Sequence, residues 1–262
     1  MFEAVIDARV RELGRAVGIM SSLGNRAIVK ITDAGLTIKV RDNEVGLPAA
    51  ELRLNRNACR SYGFQPTNPL ADNDHFFINN LTPLGQFLEQ ATDQDILLLL
   101  HNPLPNDQRN RLVAILLNPA ARQGRSLIKE DDPLENAPTN IVDEAPYMVT
   151  ATIESRLFRD TVEGLRYTII DENGQRTDGL DEVTLQELAG DVSIQSAAAL
   201  DDIFSSDFEL AELRAFINAA QRSGTVSVHV DHADQGRTPL LHCPFGHGLG
   251  KIFFYGHNIV PN

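Results

Sequence analysis

The chain has 262 residues, of which 42% are hydrophobic, so it can bury one large core or two of ordinary size. Its formal net charge of −13 excludes a surface that is basic overall, although arginines can still concentrate on one face. Cys59 and Cys243 lack CxxC spacing and are expected to be free thiols. The sequence has neither an apolar run of about 18 residues nor a basic-then-apolar leader, so we expect an intracellular protein without a membrane span.

The first part of the chain alternates strands with single helices. A strand is predicted over 2–6, and a helix from Asp7, its expected N-cap, to about Ser21, with Gly24 ending it. A second helix is predicted over about 82–92, with Thr82 as N-cap and Pro83 at the first helical position. Strands are predicted at 26–31, 35–41, 45–54, 75–79, 96–101 and 111–118, and an exposed loop at 63–74.

Residues 119–146 are rich in proline and acidic residues, and they are predicted to form an extended connector on the surface. Leu127, Ile128 and Leu134 have no predicted strand or helix to join. They either pack locally on a neighbouring domain or form one side of a docking groove.

The second part repeats the plan of the first. Helices are predicted at about 154–165 and 209–222, and strands at 147–153, within 166–171, 180–187 and 191–197, and at 203–208, 225–230, 238–243 and 250–255. Together the two parts predict an α+β fold of two domains, 1–118 and 147–262, with the helices on one face of antiparallel sheet.

An internal repeat supports this division. Residues 81–91 follow the pattern L-x-x-L-x-x-F-L-x-x-A, and residues 210–220 follow L-x-x-L-x-x-F-I-x-x-A. A looser similarity joins 5–20 to 150–165. A duplicated α/β unit predicts a scaffold, and ring assembly is one form of it.

No catalytic motif is convincing, and we expect a protein that is not an enzyme and uses no cofactor or metal. The strongest contrary feature is a group of histidines near the C-terminal end, beside Cys243. These could hold zinc in a metal-dependent enzyme, but no C-x-x-C or helical H-x-x-x-H pair is present. Solvated or edge-strand histidines are the other interpretation. The group consists of His229, His232, His242, His247 and His257.

Arginines are the more informative polar residues. Three lie on the first predicted helix, two on the third and one on the fourth: Arg9, Arg11, Arg15, Arg156, Arg159 and Arg214. Acidic neighbours partly offset them, so each is either part of a solvated helix face or part of a mildly positive surface. Such a surface can follow a phosphate backbone without reading sequence.

Several segments resemble one family. Asp33–Val40 (DAGLTIKV), Asn43–Leu47 (NEVGL), the start of the second helix at 80–84 and the final hairpin at 239–255 are similar to DNA sliding clamps typified by proliferating cell nuclear antigen. The resemblance implies a non-catalytic subunit of a trimeric ring, with helices on the concave inner face, sheets outside and double-stranded DNA enclosed without regard to sequence. The implied partners are two further clamp subunits, identical or homologous, a clamp loader, and peptide motifs of DNA polymerases and repair proteins.

The resemblance also implies roles for residues. The six helix arginines would face DNA, and a partner-binding groove would involve Val40, Glu44, Leu47, Leu127, Ile128, Pro239, Phe254 and Ile259. Localisation would be nuclear in a eukaryote. The first helix is also similar to a subunit of the heterotrimeric checkpoint clamp that responds to DNA damage, which is the alternative within the same fold. A metal-dependent enzyme built on the histidine group and a duplicated protein-binding module are the alternatives from other classes.

Overall fold

A computed structural model describes residues 1–7, 9–24, 26–41, 48–66, 73–101, 110–131, 147, 149–164, 169–170, 176–177, 192–196, 210–221, 223–231 and 238–256. The fold is mixed α+β, as predicted, and its sheets are antiparallel. None of the helices in these ranges has the length and apolarity needed to cross a bilayer.

The described residues form sixteen strands, four α-helices and a short 3₁₀ turn at Arg56–Ala58. The strands are β1 Phe2–Ile6, β2 Ala27–Thr32, β3 Gly35–Arg41, β4 Pro48–Asn55, β5 Ser61–Phe64, β6 Asn73–Ile78, β7 Ile96–His101, β8 Asn110–Asn118, β9 Gln123–Asp131, β10 Val149–Glu154, β11 Ile169–Ile170, β12 Arg176–Thr177, β13 Val192–Ser196, β14 Thr225–Val230, β15 Leu240–Phe245 and β16 Gly250–Tyr255. The helices are α1 Val10–Leu23, α2 Thr82–Glu89, α3 Ser155–Gly164 and α4 Leu210–Ala220.

Two large sheets organise the molecule. One has five strands in the order β5-β1-β7-β8-β9, and the other has nine in the order β13-β10-β14-β15-β16-β4-β3-β2-β6. A small third sheet pairs β11 with β12. The junction of the nine-stranded sheet is β4 with β16, where Leu52 is opposite Ile252 and Ala50 is opposite Phe254. Strands from the two ends of the sequence therefore share one continuous sheet.

Period-two alternation decides which side of each sheet is buried. In β3 the even-numbered side chains Leu36, Ile38 and Val40 are enclosed, whereas Thr37 and Lys39 lie on the opposite face. The inner faces of both large sheets join one hydrophobic core that also takes the apolar sides of the helices. That core continues through Phe216 and Phe254, whose rings meet edge to face at 4.8 Å, into the second half of the chain.

The four helices form a row in the order α2-α1-α4-α3, in which α1 contacts α2 and α4, and α4 contacts α3. Helices α1 and α2 approach most closely because glycines lie at their crossing. A Cβ atom added to Gly14 would lie 2.5 Å from the backbone nitrogen of Glu89, and one added to Gly85 would lie 3.1 Å from that of Gly18. The apolar motif at 81–91 places Leu84 and Leu88 in the core beneath this crossing.

The start of α1 differs from the prediction. Asp7 does not cap the helix, which begins at Val10 after Arg9 in a left-handed conformation, with φ 62°. The Arg9 carbonyl accepts hydrogen bonds from Glu12 N–H and Leu13 N–H, so the first turn closes on the backbone alone. Helix α2 likewise has Leu81 at the N-cap position, and the Asn80 side chain accepts from Thr82 N–H at 3.0 Å.

The prediction that Leu127 and Ile128 have no strand to join is wrong. Residues 123–131, assigned to the connector, form β9, which pairs with β8 along its whole length. The turn that reverses the chain has Arg122 at φ 51°, and Asn118 Oδ1 accepts from Ala121 N–H at 2.9 Å. The rest of the connector, 132–146, and the predicted strands at 180–187 and 203–208 lie outside the described residues.

Candidate nucleic-acid interface

The exposed side of the helix row is the surface on which DNA contacts were expected from the resemblance. On α1, Arg11 is exposed, and Arg15 forms an ion pair with Glu12 at 2.9 Å, one helical turn away. Both partners of that pair are about 30% exposed. An ion pair of this kind contributes about 0.2–1 kcal/mol, so Arg15 remains free to exchange partners.

The arginines of α3 are likewise paired. Asp160 lies 2.9 Å from Arg159 and 3.8 Å from Arg156, and it therefore holds both guanidinium groups. Its hydrogen bond to Arg159 raises the pKa of that already cationic side chain. On α4 the side chain of Arg214 lies outside the described residues, so its orientation is not part of the interface geometry.

The charges on this side of the row nearly cancel. Among the described side chains of α1, α2 and α3, four arginines are matched by four carboxylates: Arg11, Arg15, Arg156 and Arg159, and Glu12, Glu89, Asp160 and Glu163. A surface of this composition attracts a polyanion only weakly, because a carboxylate lies within 4 Å of three of the four arginines.

Arg9 has a structural role that the sequence did not suggest. Its guanidinium group donates to the carbonyl oxygens of Gly246 and His247, at 2.5 and 2.9 Å. These carbonyls belong to the turn between β15 and β16, so Arg9 links the start of α1 to the second half of the chain. Both contacts use Nη1, so a phosphate could approach this exposed side chain only through Nε and Nη2 while the link holds.

The residues assigned to a partner groove are not all on one surface. Val40 and Phe254 are enclosed in the main core, at 0% and 2% exposure, because their strands turn them toward the helices. Pro239 is buried, and its carbonyl accepts from Gly256 N–H at 2.8 Å. Leu127 and Ile128 lie in the other large sheet, where Leu127 packs on the core and Ile128 is 58% exposed. Glu44, Leu47 and Ile259 lie outside the described residues.

The histidine group is only partly assembled. His229 Nε2 and His242 Nδ1 are 2.7 Å apart, and the His229 Nδ1 lies 2.8 Å from the Thr150 hydroxyl, which forms a short polar chain on the outer face of the nine-stranded sheet. Burial lowers the pKa of His229, and burial together with His229 and nearby Lys251 lowers that of His242 to about 4. Both imidazoles are therefore neutral at pH 7.

The other members of the group are separate. Cys243 points into the core, where burial raises the pKa of its thiol to about 12, and His247 is exposed in the turn at 246–249. His232 and His257 lie outside the described residues. Within the part of the chain that the structure describes, no three histidine, cysteine or acidic side chains are close enough to hold a metal ion.

One charged cluster was not anticipated. Glu51 is 2% exposed, and its carboxylate contacts Lys39 at 3.0 Å and Arg53 at 2.5 Å and accepts from the Tyr255 hydroxyl at 3.0 Å. Burial alone would raise the pKa of Glu51, but Arg53 and Lys39 outweigh it and hold that pKa below its ordinary value. The alternation of charge in β3 and β4 was visible in the sequence, whereas the pairing with β16 was not.

Comparison with known proteins does not identify a family: no protein-family model matches the chain, and no curated protein matches it.

Proposed function

We propose that this protein is a non-catalytic subunit of a ring-shaped DNA sliding clamp. The proposal rests on the segments that resemble that family and on one structural observation, namely that the strand order of the five-stranded sheet recurs in part of the nine-stranded sheet. The ring would enclose duplex DNA, and proteins attached to it would act on DNA at a raised effective concentration.

The repeat is seen in the order of strands. The five-stranded sheet, β5-β1-β7-β8-β9, has the same order as the segment β13-β10-β14-β15-β16 of the nine-stranded sheet, position by position along the chain. In both, the strand after the second helix pairs with the strand before the first: β7 with β1, and β14 with β10. This shared order of strands supports the proposal that the two halves are repeats of one unit.

This equivalence leaves complementary edges. Within the chain, β16 pairs on its free side with β4 of the other half. Its counterpart β9 pairs with β8, and no second partner strand occurs among the described residues. By its place in the chain, the segment predicted as a strand at 180–187, which lies outside the described residues, would correspond to β4 in this proposal. Pairing of β9 with that strand in another copy repeats the β16–β4 contact, and it also brings α3 of one copy beside α2 of the next. Such head-to-tail contacts close into rings when the rotation permits.

The near-neutral helix row suits retention by enclosure. A ring that holds DNA topologically needs few phosphate contacts, and weak contacts leave movement along the duplex almost unhindered. We therefore expect that salt weakens direct binding to open-ended DNA without releasing a ring from DNA whose ends are blocked.

The oligomeric state is the first test. Light scattering after size-exclusion chromatography should give three times the chain mass for a replication-type clamp. A monomer at every concentration rules out the homotrimer. In that case the alternative, a subunit of the heterotrimeric checkpoint clamp, predicts that the chain forms a trimer with two other clamp chains when the three are expressed together. Failure of that co-assembly rules out the ring.

Threading is the second test and needs no loader. The assembled protein is incubated with duplex DNA that is fixed to a bead at one end, and the free end is then either blocked with streptavidin or left open. After a wash at about 0.5 M salt, protein should stay on the blocked DNA and leave the open DNA. Equal retention on the two would show ordinary binding and contradict enclosure.

A further inference from the structure

The outer face of the nine-stranded sheet concentrates cations in a chain whose net charge is −13. Strand alternation turns Lys30, Lys39, Arg53 and Lys251 away from the core. Three of the four lysines of the whole sequence are in this set. Among the described side chains on the outer face of β6, β2, β3, β4, β16 and β15, the single carboxylate is Glu51. The described side chains of α1, α2 and α3, by contrast, include equal numbers of arginines and carboxylates.

The register aligns three of these cations. Lys30 is opposite Thr37, Thr37 is opposite Arg53, and Arg53 is opposite Lys251, so one line crosses β2, β3, β4 and β16. We call Lys30, Arg53 and Lys251 the cationic row. At about 4.8 Å between neighbouring strands, the row is roughly 14 Å long. Lys39 lies beside it, opposite Glu51 on β4.

The members of the row differ in how far they are neutralised. Arg53 and Lys39 share the Glu51 carboxylate. Lys251 is exposed and Lys30 is half-buried, and neither has a carboxylate partner among the residues that the structure describes. The two ends of the row therefore keep their full charge at the surface, where it can act on a ligand within about 8–10 Å.

The aromatic rings on this face are already covered. The Arg53 guanidinium lies 4.4 Å from the centre of the Phe253 ring, and that of Arg26 lies 4.3 Å from the centre of the Phe77 ring. Single-stranded nucleic acids bind sheet surfaces by stacking bases on open aromatic rings. The rings of Phe253 and Phe77 are not open, because a guanidinium group lies over each of them. A guanidinium group stacked in this way keeps the N–H donors at its edge, which match a carboxylate in geometry.

The geometry points to a docking site for an acidic peptide segment of a partner protein, laid in extended form along the cationic row. Alternate side chains of an extended peptide are about 6.7 Å apart on one side, so three carboxylates at alternate positions extend over about 13 Å and match the length of the row. The proposal does not depend on ring formation, because the row lies within one chain.

The test is fluorescence anisotropy with a labelled seven-residue peptide that has Asp at its second, fourth and sixth positions and Ser between them. The full chain is titrated into it at about 50 mM salt. Lys30→Gln and Lys251→Gln should each weaken binding about twofold to fivefold, as expected for single surface ion pairs, and the double variant about tenfold. Arg60→Gln, at an exposed side chain just before β5, is the matched control and should leave binding unchanged.

Other results decide against the site. If a peptide with Asn in place of Asp binds equally well, charge recognition is excluded. If the acidic peptide binds saturably and neither Lys30→Gln nor Lys251→Gln weakens that binding, its site lies elsewhere on the chain. The absence of binding by the acidic peptide also overturns the proposal. If a 12-nucleotide single strand binds through the row and the peptide does not, the face belongs to nucleic acid. Circular dichroism spectra that match the parent chain show that the variants fold.

Discussion

Replacing Gly14 by alanine tests the helix crossing that organises the inner layer. The new Cβ would lie 2.5 Å from Glu89 N and 2.7 Å from the Leu88 carbonyl carbon, and both are backbone atoms of α2. No rotation of a side chain relieves such a contact, so α1 and α2 must separate by about 1 Å. Because α1 also contacts α4, the separation disturbs the helix row as well as the pair.

Two effects of opposite sign determine how much Gly14→Ala changes the free energy of unfolding. Alanine stabilises a helix interior by about 0.8–1 kcal/mol relative to glycine. Overpacking a close contact costs about 1–3 kcal/mol. For Gly14→Ala we expect a net loss of about 1–2 kcal/mol, because the clash is with backbone, which corresponds to a fall in Tm of about 2–8 °C for a chain of this size.

Gly18→Ala is the matched control on the same helix. Its Cβ would meet only the Glu89 carboxylate tip, at 3.1 Å, which can move aside, so we expect a change between zero and about 1 kcal/mol of stabilisation. Gly85→Ala should fall between the two. Urea unfolding followed by circular dichroism ranks the stabilities of the three variants by their midpoint urea concentrations. If Gly14→Ala is as stable as the parent chain, or Gly18→Ala is equally destabilised, the close-crossing argument is wrong.

Three further predictions concern single polar groups. Burial lowers the pKa of His101 to about 4, and neither of its ring nitrogens has a hydrogen-bond partner in the described part of the chain, so its neutral form stabilises the fold above pH 6.5 and this contribution is lost as pH falls toward 4. His101→Phe, which keeps the stacking on Phe76, should raise the free energy of unfolding by about 1 kcal/mol at pH 7. It should also make that free energy less dependent on pH between 6.5 and 4, and an unchanged pH dependence would contradict this reasoning. Glu51→Gln should lower the free energy of unfolding by about 2–3 kcal/mol at pH 7, and Tyr255→Phe by about 1 kcal/mol. Because Arg53 and Lys39 hold the pKa of Glu51 below its ordinary value, the parent chain should lose its advantage over Glu51→Gln only as pH falls below 4.5. Equal costs of the two substitutions at pH 7 would show that the charge of Glu51 adds nothing to stability. Arg9→Asn, which tolerates the left-handed backbone, should accelerate amide hydrogen exchange at Leu249 and lower stability by about 1 kcal/mol, and unchanged exchange would show that the link to Gly246 and His247 is unimportant.

Local patterns predicted the elements well where periodicity was strong. The helix predicted over 209–222 is present as Leu210–Ala220, and the strand predicted over 250–255 has those bounds. The failures come from long-range contacts. Residues 123–131 read as connector because prolines and acidic residues surround them, whereas pairing with the apolar strand β8 makes them a strand.

The candidate site was less accessible to sequence reasoning. Positions taken from a resemblance placed Val40 and Phe254 at a surface, although strand alternation turns both into the core. Arg11, Arg15, Arg156 and Arg159 were predicted correctly as helix residues, whereas Arg9 precedes α1. The contacts that engage Arg9 and Arg159 depend on a distant turn and on a rotamer. The cationic row depends on the register of four strands, which no local window contains.

The β4–β16 pairing has a consequence for synthesis on the ribosome. β16 is completed about 200 residues after β4, so at about 5–20 residues per second the edge of β4 stays without its partner for roughly 10–40 s. An uncovered strand edge is a template for mispairing between nascent chains. The yield of folded protein should therefore depend on translation speed and on chaperones that shield this edge, even where the finished molecule is stable.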